Sequence, residues 1–229
     1  MKDASVTVGI PFTNDTNLEY LKNSIDSIIN QTLRIDCIHL IQDGPINNDL
    51  YSLIKTYENA CSNIKVLVFP KKGLPYVLNK SIQSSDTKYY ARMDSDDIAY
   101  LTRIEKQIEY LEKNSKIDIL GAWSKEFDDK SNLEDGFINK RPMSYSDIKE
   151  YFHYRSAFIH PTVVFRLKLF NKIGYYNEKF LTAQDIEFSA RAFKNNIIIS
   201  NLQEPLLYYR VDGLQARRSD FSAIKRQII

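Results

Sequence analysis

Cysteine is scarce in this sequence, and long apolar runs and an excess of one charge are missing. Among 229 residues the only cysteines are Cys37 and Cys61, too few for a disulfide framework, so a reducing compartment is indicated. No apolar run approaches the roughly 18 residues that span a bilayer, and the first residues lack the apolar core of a signal peptide. We therefore expect a cytoplasmic protein.

Basic and acidic residues nearly balance, with 31 Lys and Arg against 29 Asp and Glu. A net charge of +2 does not mark a nucleic-acid-binding protein, and we predict no nucleic-acid partner. A composition of 43% hydrophobic and 12% aromatic residues excludes disordered, collagen-like and disulfide-rich classes. The length favours one large domain, predicted over residues 1–229.

Two phosphate-binding motifs are also absent. No Gly-x-Gly-x-x-Gly follows the first predicted strand, and no Walker-type Gly-Lys-Ser/Thr occurs anywhere. The dinucleotide and P-loop classes therefore lose their main support. A metal ion is the natural alternative for meeting the charge of a phosphate.

What the first half does contain is a regular alternation of strand and helix patterns. Short apolar runs, the first of them ended by Pro11, predict buried strands, and apolar residues at helical spacing predict the helices between them. The predicted strands cover 6–10, 38–41, 66–69 and 89–93, and the helices cover about 18–28, 50–57 and 74–82. This order is typical of an α/β fold with a parallel, Rossmann-like sheet.

The pattern changes in the second half. A helix is expected after Thr102, because Thr102 and Glu105 have the spacing of a capping box. A strand at 117–123, a polar stretch and a helix near 146–152 then interrupt the alternation. We interpret this half as an extension that forms the other wall of a cleft.

Carboxylates cluster where the fourth strand ends, at Asp94, Asp96 and Asp97. Ligands of open α/β sheets bind beyond the carboxyl ends of the strands, where Pro11–Thr13 and Asp43-Gly44 are also expected. In extended backbone Asp94 and Asp96 point to the same side, and a hard divalent cation such as Mg²⁺ or Mn²⁺ would offset their repulsion. Surface aspartates that cap a helix or turn are the alternative, which this cluster alone leaves open.

Several motifs in a fixed order resemble those of family 2 glycosyltransferases of the GT-A fold, over nearly the full length. In chain order they are Val8-Gly9-Ile10-Pro11-Phe12, Asn30-Gln31-Thr32, Ile41-Gln42-Asp43-Gly44, Lys72-Gly73-Leu74, Leu78-Asn79, Ala91-Arg92-Met93-Asp94-Ser95-Asp96-Asp97, Arg103, Gln107, His160-Pro161-Thr162, Gly174-Tyr175-Tyr176, Gln184-Asp185, and Tyr209-Arg210 with Gln215. Their joint order is that of bacterial enzymes that build surface polysaccharide such as O-antigen, capsule or exopolysaccharide.

The resemblance implies a mostly parallel sheet flanked by helices, with a C-terminal extension on the acceptor side. About residues 1–100 would bind a nucleotide sugar, and about 101–229 would bind the acceptor and supply a catalytic base. The implied reaction is an inverting transfer of a hexose from a nucleotide sugar, UDP-linked in the favoured case, to a saccharide acceptor. A lipid-linked precursor is the favoured acceptor, and Mn²⁺ or Mg²⁺ is the implied cofactor.

The resemblance also assigns roles on the donor side. Pro11 and Thr13 would line the nucleotide pocket, Asp43 would bond a uracil-type base, and the loop at Lys72-Gly73 would close over the nucleotide. The other implied nucleotide-sugar-binding residues are Asn79, Arg92, Asp94, Ser95 and Asp96.

The implied metal ligands come from the same region. Asp94 and Asp96 match the DXD motif, with Asp96 the more direct metal ligand and Asp94 nearer the ribose and donor sugar. Asp212 stands where the family often has a histidine and is a further candidate ligand. Asp97 is expected to be structural.

On the acceptor side, Asp185 matches the family's catalytic base. Judged without the resemblance, Asp185 is better explained as a capping or solvated carboxylate near the start of a helix at 186–194. Gln184 replaces the usual Glu before the base, and with His160 it is placed on the acceptor side. A buried structural role for His160 stays open, and Trp123 and Tyr154 are expected to pack in the core rather than stack on a sugar.

Basic residues lie among apolar ones in the last segment, at Arg217, Arg218, Lys225 and Arg226. Such an amphipathic helix either rests on the inner face of the cytoplasmic membrane or packs on its own domain. Both interpretations stay open.

Two other functions compete with transfer. A nucleotidyltransferase also sets carboxylates and a metal on a Rossmann-like sheet, but it usually carries a Gly-rich signature after its first strand, which is absent here. A non-catalytic protein that binds nucleotide sugar or glycan is the second, although every expected carboxylate is retained.

Overall fold

A computed structural model describes residues 5–129 and 133–212. The basic residues of the last segment therefore lie outside the described residues. No helix in the described part of the chain is long and apolar enough to cross a bilayer.

One sheet of nine strands forms the centre of the described molecule, in the order β3-β2-β1-β4-β8-β6-β9-β5, with β7 paired to β6. The strands are β1 (Val6–Phe12), β2 (Cys37–Asp43), β3 (Ile64–Phe69), β4 (Tyr89–Arg92), β5 (Ile98–Ala99), β6 (Ile119–Phe127), β7 (Ile138–Asn139), β8 (Val164–Arg166) and β9 (Ile199–Arg210). The first four strands are parallel, as predicted, and β8 joins them to the second half by antiparallel pairing with β4 and β6.

Seven α-helices cover the sheet within the described residues. They are α1 (Leu18–Ile29), α2 (Asn48–Ala60), α3 (Leu74–Gln83), α4 (Arg103–Lys113), α5 (Tyr145–Tyr151), α6 (Phe170–Ile173) and α7 (Gln184–Lys194). Buried residues of α1, α2 and α4 share one apolar cluster, and those of α3, α5, α6 and α7 share another. Neighbouring residues of β4 alternate between the clusters, so the two clusters lie on opposite faces of the sheet.

Three local predictions are wrong in detail. β1 continues through Pro11 to Phe12. The carbonyl of Gly9 accepts a hydrogen bond from Met93 N at 3.0 Å, so the backbone of Gly9 faces β4. Pro11 lies two residues further along β1 and faces the same side. β4 has already ended there, at Arg92. Because no strand in the described part of the chain lies opposite Pro11 on that side, its missing N–H removes no hydrogen bond from the sheet.

The predicted capping box does not form. Thr102 does precede α4, but its side chain makes no capping bond. Glu105 instead accepts a hydrogen bond from Thr32 Oγ1 at 2.7 Å, which ties α4 to the segment after α1. The expectation that Tyr154 packs in the core is also wrong, because this side chain is 84% exposed.

Candidate active site

Three cavities meet at the carboxyl ends of β1, β2 and β4. The central cavity, about 590 Å³, lies over the aspartates after β4. The Asp43 cavity, about 190 Å³, adjoins it at the ends of β1 and β2, and the Asp185 cavity, about 320 Å³, adjoins it on the side of α7. Asp94 lines all three, so the cavities form one continuous cleft.

The Asp43 cavity brings together residues that were predicted to bind the nucleotide. Pro11, Thr13 and Asp43 line it. The carboxylate of Asp43 accepts the backbone N–H of Lys72 at 2.8 Å and of Gly73 at 3.0 Å, which anchors the loop before α3. Gly73 has a φ of +93°, a conformation that favours glycine. Each carboxylate oxygen keeps a second lone pair, so Asp43 can also accept from a ligand.

A group of three carboxylates occupies the turn after β4. One oxygen from each of Asp94, Asp96 and Asp97 lies within 4.8 Å of the others. Helix α1 holds this turn, because Ser24 Oγ donates to the carbonyl of Asp94 at 2.8 Å and Ser27 Oγ accepts from Ala99 N at 3.0 Å. The aspartates are therefore gathered by tertiary contacts and not by extended backbone.

Crowding and burial oppose ionisation of Asp96 and Asp97. Burial and then the charge of Asp94 raise the pKa of Asp96 to about 6. Burial, with the charges of Asp94 and Asp96, holds the pKa of Asp97 well above its usual range. Asp97 Oδ2 is buried without a partner among the described residues.

These features fit a hard divalent cation. The three side chains offer only oxygen atoms, which Mg²⁺ and Mn²⁺ prefer. A bound cation would offset the repulsion between the carboxylates and would give Asp97 Oδ2 a partner. Asp97 belongs to this group and also accepts the backbone N–H of Arg210 at 2.9 Å, which is a structural contact.

Arg210, at the end of β9, connects the carboxylate turn to the opposite rim. Its Nε donates to the carbonyl of Asp96 at 2.9 Å, and its Nη1 forms an ion pair with Asp129. The guanidinium lies over the ring of Tyr20, 3.7 Å from the ring centroid. Asp212 lines the same central cavity, accepts the N–H of Asp129 and lies 3.4 Å from Arg210 Nη1, so its charge is already partly matched by protein.

Arg92 stands where the central and Asp185 cavities join. It is 3% exposed, and its Nη2 forms an ion pair with Asp94 Oδ1. The buried Nε and Nη1 have no partner among the described residues. A fixed guanidinium with free donors at this junction suits a ligand rich in oxygen.

The Asp185 cavity contains two of the predicted acceptor-side residues. Asp185 and His160 line it together with Ser156 and Arg141. Ser156 Oγ lies 3.0 Å from Asp185 Oδ2, and His160 Nε2 lies 2.8 Å from Tyr176 Oη. Burial, and then Arg92, lowers the pKa of His160 well below its usual range, so its ring is neutral at physiological pH.

Other predicted site residues lie away from the lining of these cavities. Asn79 is 4% exposed, and both ends of its amide bond the segment after α6, at the N–H and carbonyl of Tyr176 and at Glu178. These contacts give Asn79 a structural role, and its role in binding the nucleotide sugar stays a prediction. Gln184 is buried at the first turn of α7, beside Asp185 but not in the cavity wall. Trp123 is half-buried and donates to the carbonyl of Arg141 at 2.8 Å.

Sequence reasoning missed three residues that line the cleft, Tyr20, Arg141 and Ser156, and also Asp129, which pairs with Arg210. Tyr20 lies on α1, and the other three lie between or beside short elements without a regular apolar period. No local sequence signal distinguishes them from surface residues, because only tertiary contacts bring them to the cleft.

Sequence comparisons agree with this geometry. Residues 7–174 match the profile of the family described as "Glycosyl transferase family 2". The chain is similar to the uncharacterized glycosyltransferase MJ1057 of Methanocaldococcus jannaschii, with 33% identity over 91% of this chain and 71% of that protein. It is 28% identical to the amylovoran biosynthesis glycosyltransferase AmsE of Erwinia amylovora, over 97% and 82% of the two chains. It is 30% identical to an Escherichia coli UDP-Gal:alpha-D-GlcNAc-diphosphoundecaprenol beta-1,3-galactosyltransferase, over 87% and 71%.

Solved structures show the same fold. The crystal structure of TarS from S. aureus superposes with a TM-score of 0.70 at 19% identity, covering 91% of this chain and 37% of TarS. A structure of TarS 1-349 in complex with UDP-GlcNAc superposes with a TM-score of 0.70 at 18% identity, covering 90% and 58%. The chain thus spans less than two thirds of the TarS chains that it matches, and this likeness supports the GT-A fold.

Proposed function

Since the chain belongs to glycosyl transferase family 2, we propose that it transfers a hexose from a UDP-linked sugar to a saccharide acceptor, with inversion and with a divalent metal. The observation that carries the proposal is the continuous cleft, which has three clustered carboxylates in its centre and a separate carboxylate, Asp185, in the adjoining cavity. An inverting transfer needs a base on the face of the reacting carbon opposite the leaving group, and a metal on the other side would offset the charge of the departing diphosphate.

The donor would occupy the Asp43 cavity and the central cavity. Asp43 is fixed by the Lys72-Gly73 loop and can accept an N–H of a uracil-type base. The choice of UDP is supported by the names of two similar proteins, a galactosyltransferase that uses UDP-Gal and a TarS structure in complex with UDP-GlcNAc. Arg92 would direct its free donors towards the diphosphate and sugar oxygens.

Asp94, Asp96 and Asp97 would hold Mn²⁺ or Mg²⁺, which when bound supplies Lewis-acid stabilisation of the diphosphate leaving group. The protein's own contribution here is to keep the turn in place. Ser24 holds the carbonyl of Asp94, and Arg210 holds the carbonyl of Asp96. A fixed turn keeps the carboxylates from moving apart under their mutual repulsion.

Asp185 would act as the general base. It would take the proton of the acceptor hydroxyl as that oxygen attacks the anomeric carbon, and the bond from this carbon to the diphosphate breaks. Positioned general bases typically contribute about 10²–10⁴-fold to the rate. The hydrogen bond from Ser156 holds one carboxylate oxygen, Oδ2, and leaves the other for the proton.

The acceptor would be a lipid-linked saccharide used in surface-polysaccharide biosynthesis. Two similar proteins support this choice by name, one for amylovoran biosynthesis and one that acts on a diphosphoundecaprenol-linked sugar.

The first experiment is a thermal-shift screen of UDP-, GDP- and dTDP-sugars with and without Mn²⁺. A ligand at 100 times its Kd stabilises the fold by about 2.7 kcal/mol, which raises the melting temperature by roughly 5–10 °C for a chain of this size. We expect this shift for UDP-sugars with Mn²⁺. Stabilisation by GDP- or dTDP-sugars alone would overturn the UDP assignment.

Two variants separate the metal site from the base. Asp96→Asn should lose the Mn²⁺-dependent shift and all transfer, whereas Asp185→Asn should lose transfer and keep the shift. Asp147→Asn, in an exposed turn of α5, is the matched control and should keep both. Full transfer by Asp185→Asn would contradict its role as base.

Analysis of the products released in the transfer assay tests the competing functions. A nucleotidyltransferase would release pyrophosphate from a nucleoside triphosphate and a sugar phosphate. A non-catalytic binding protein would show the UDP shift without turnover, and we expect UDP release from the UDP-sugar instead.

A further inference from the structure

Arg141 is a cation in the wall of the Asp185 cavity that neither the donor nor the base requires. It follows β7 and precedes α5, and it lines this cavity but not the central one. Its guanidinium is held in place, since Nη1 donates to Asn139 Oδ1 and to the carbonyl of Lys140 at 2.8 Å, and the ring of Tyr151 lies 5.6 Å away. The side chain is therefore positioned before any ligand arrives.

Arg141 forms no ion pair among the described residues. No carboxylate among the described residues lies within 4.0 Å of it, whereas Arg92, Arg191 and Arg210 each have such a partner. Its Nε is buried without a hydrogen bond in the described part of the chain. Arg155 adds a positive charge nearby, and the carboxylates of Glu126 and Asp185 act on Arg141 only from beyond ion-pair distance.

A partly buried guanidinium without an anionic partner lowers the stability of the fold, and a bound ligand can supply that partner. Its planar fork matches a carboxylate or a phosphate. Asp185 is not that partner, because it lies beyond ion-pair distance and its Oδ2 is bonded to Ser156. A neutral sugar would leave the charge unmatched.

We propose that Arg141 binds an anionic group of the acceptor, a phosphate or a carboxylate, beside the sugar hydroxyl that faces Asp185. This assignment rests on the proposed function, because it takes the Asp185 cavity as the acceptor side. It narrows the acceptor to saccharides that carry a negative charge near the attacked hydroxyl. Neutral saccharides are then disfavoured, because they leave a buried donor unpaired.

The test measures binding of matched probes by isothermal titration calorimetry. Octyl glucoside is the neutral probe, octyl glucuronide carries a carboxylate, and octyl-diphosphate-linked glucose carries phosphate. Each is titrated with UDP and Mn²⁺ present, so that the donor half is filled, and again without them. We expect at least one anionic probe to bind wild type about tenfold tighter than the neutral probe, as one charge-assisted hydrogen bond provides. The tighter anionic probe identifies the source of the charge.

Variants show whether Arg141 causes the preference. Arg141→Gln should bind anionic and neutral probes equally, and Arg141→Lys should keep part of the preference. Lys149→Gln, an exposed charge on α5, is the control and should keep all of it. If Arg141→Gln does not fold, Arg141→Lys and the loss of the wild-type preference at high salt give the same information.

Two results would overturn the proposal. One is equal binding of all three probes by wild type, and the other is an undiminished preference in both Arg141 variants. Failure of the proposed function is distinct from these, because it appears as no UDP binding with Mn²⁺, while the probes can still be compared without nucleotide.

Discussion

Ser156 has the geometry to steady Asp185 in both of its protonation states. Its Oγ lies 3.0 Å from Asp185 Oδ2 and 3.0 Å from the carbonyl of Phe158. A hydroxyl has one proton and can rotate, so it donates to the carboxylate before proton transfer. If the proton goes to the other oxygen of Asp185, as proposed, Ser156 can go on donating to Oδ2. The proposed base would therefore keep its orientation throughout the step.

Replacing Ser156 tests this role. Ser156→Ala should lower kcat by roughly tenfold, the effect of losing one charge-assisted hydrogen bond at a reacting group, with the donor KM unchanged. Ser156→Thr keeps the hydroxyl and should restore most of kcat. Steady-state kinetics under saturating acceptor measure both values. An unchanged kcat in Ser156→Ala would show that the base needs no such partner.

At the scale of elements, helix α3 is joined to the segment after α6 by one buried side chain. Asn79 donates to the carbonyl of Tyr176 at 2.9 Å and accepts its N–H at 2.9 Å. These are backbone groups that no helix or strand satisfies. The Asn79 amide thus supplies the hydrogen bonds that a helix or strand would otherwise give to the backbone of Tyr176.

Asn79→Ala should therefore reduce stability without affecting the donor. Leaving buried backbone groups unpaired costs about 1–3 kcal/mol, which lowers the melting temperature of a chain this size by roughly 2–12 °C. The affinity for UDP with Mn²⁺ should stay within twofold of wild type, roughly the uncertainty of independent sites. Asn195→Ala, at the exposed end of α7, is the control. Loss of UDP affinity at full stability would support a binding role for Asn79.

Strand β9 reaches the carboxylate turn through its last residue. Arg210 bonds the carbonyl of Asp96 and the carboxylate of Asp129 while its guanidinium lies over Tyr20 and Phe127. A lysine keeps the charge but not the planar fork that makes these contacts together. The turn would then lose one of its anchors.

We expect Arg210→Lys to weaken Mn²⁺-dependent UDP binding about tenfold, the loss of one hydrogen bond from a charged donor. UDP binding without Mn²⁺ should change little. Titration calorimetry at both conditions measures the difference. Arg191→Lys, which alters an ion pair on α7, is the matched control and should bind UDP as wild type does.

At the scale of the whole molecule, the two apolar clusters enclose a polar group that links pH to stability. His39 on β2 is fully buried, and its Nδ1 lies 2.9 Å from Ser81 Oγ, while Nε2 has no partner among the described residues. Burial, and then the charge of Lys65, lowers the pKa of His39 from 6.5 to about 4. The folded protein therefore holds this ring neutral.

The sign of the pH effect follows from that lowered pKa. Above pH 6.5 the ring is neutral in both states, so its full contribution to stability is present. Between pH 6.5 and 4 only the unfolded chain takes up the proton, so the free energy of unfolding falls by up to about 1.4 kcal/mol per pH unit, about 3 kcal/mol in all.

Urea unfolding at pH 7 and pH 5 measures this effect. Wild type should lose more stability between the two conditions than His39→Asn, by about 2 kcal/mol for a group titrating over this range. His153→Asn, at an exposed position, is the control and should behave as wild type. Equal pH dependence of wild type and His39→Asn would contradict the assignment.

Strand positions and carboxylate identities were predictable because their signals are local. Apolar runs marked β1 to β4 within a few residues, and the order of motifs identified Asp94, Asp96 and Asp185. The contacts of Asn79 were not predictable, because a sequence motif does not indicate which neighbouring segment a side chain contacts. The failure of the capping box was not predictable either. Thr102 and Glu105 have the right spacing, but the Glu105 side chain accepts its hydrogen bond from Thr32, which is distant in sequence.

By itself the sequence determined the α/β class, the parallel first half and the set of carboxylates, since buried strands and ordered motifs are properties of short segments. Only the tertiary structure decided that Asp97 joins Asp94 and Asp96, that Ser156 bonds Asp185, and that Arg141 lies in the same cavity. The physical reason is distance along the chain: Ser156 and Asp185 are 29 residues apart, and packing of the second half onto the sheet brings them together.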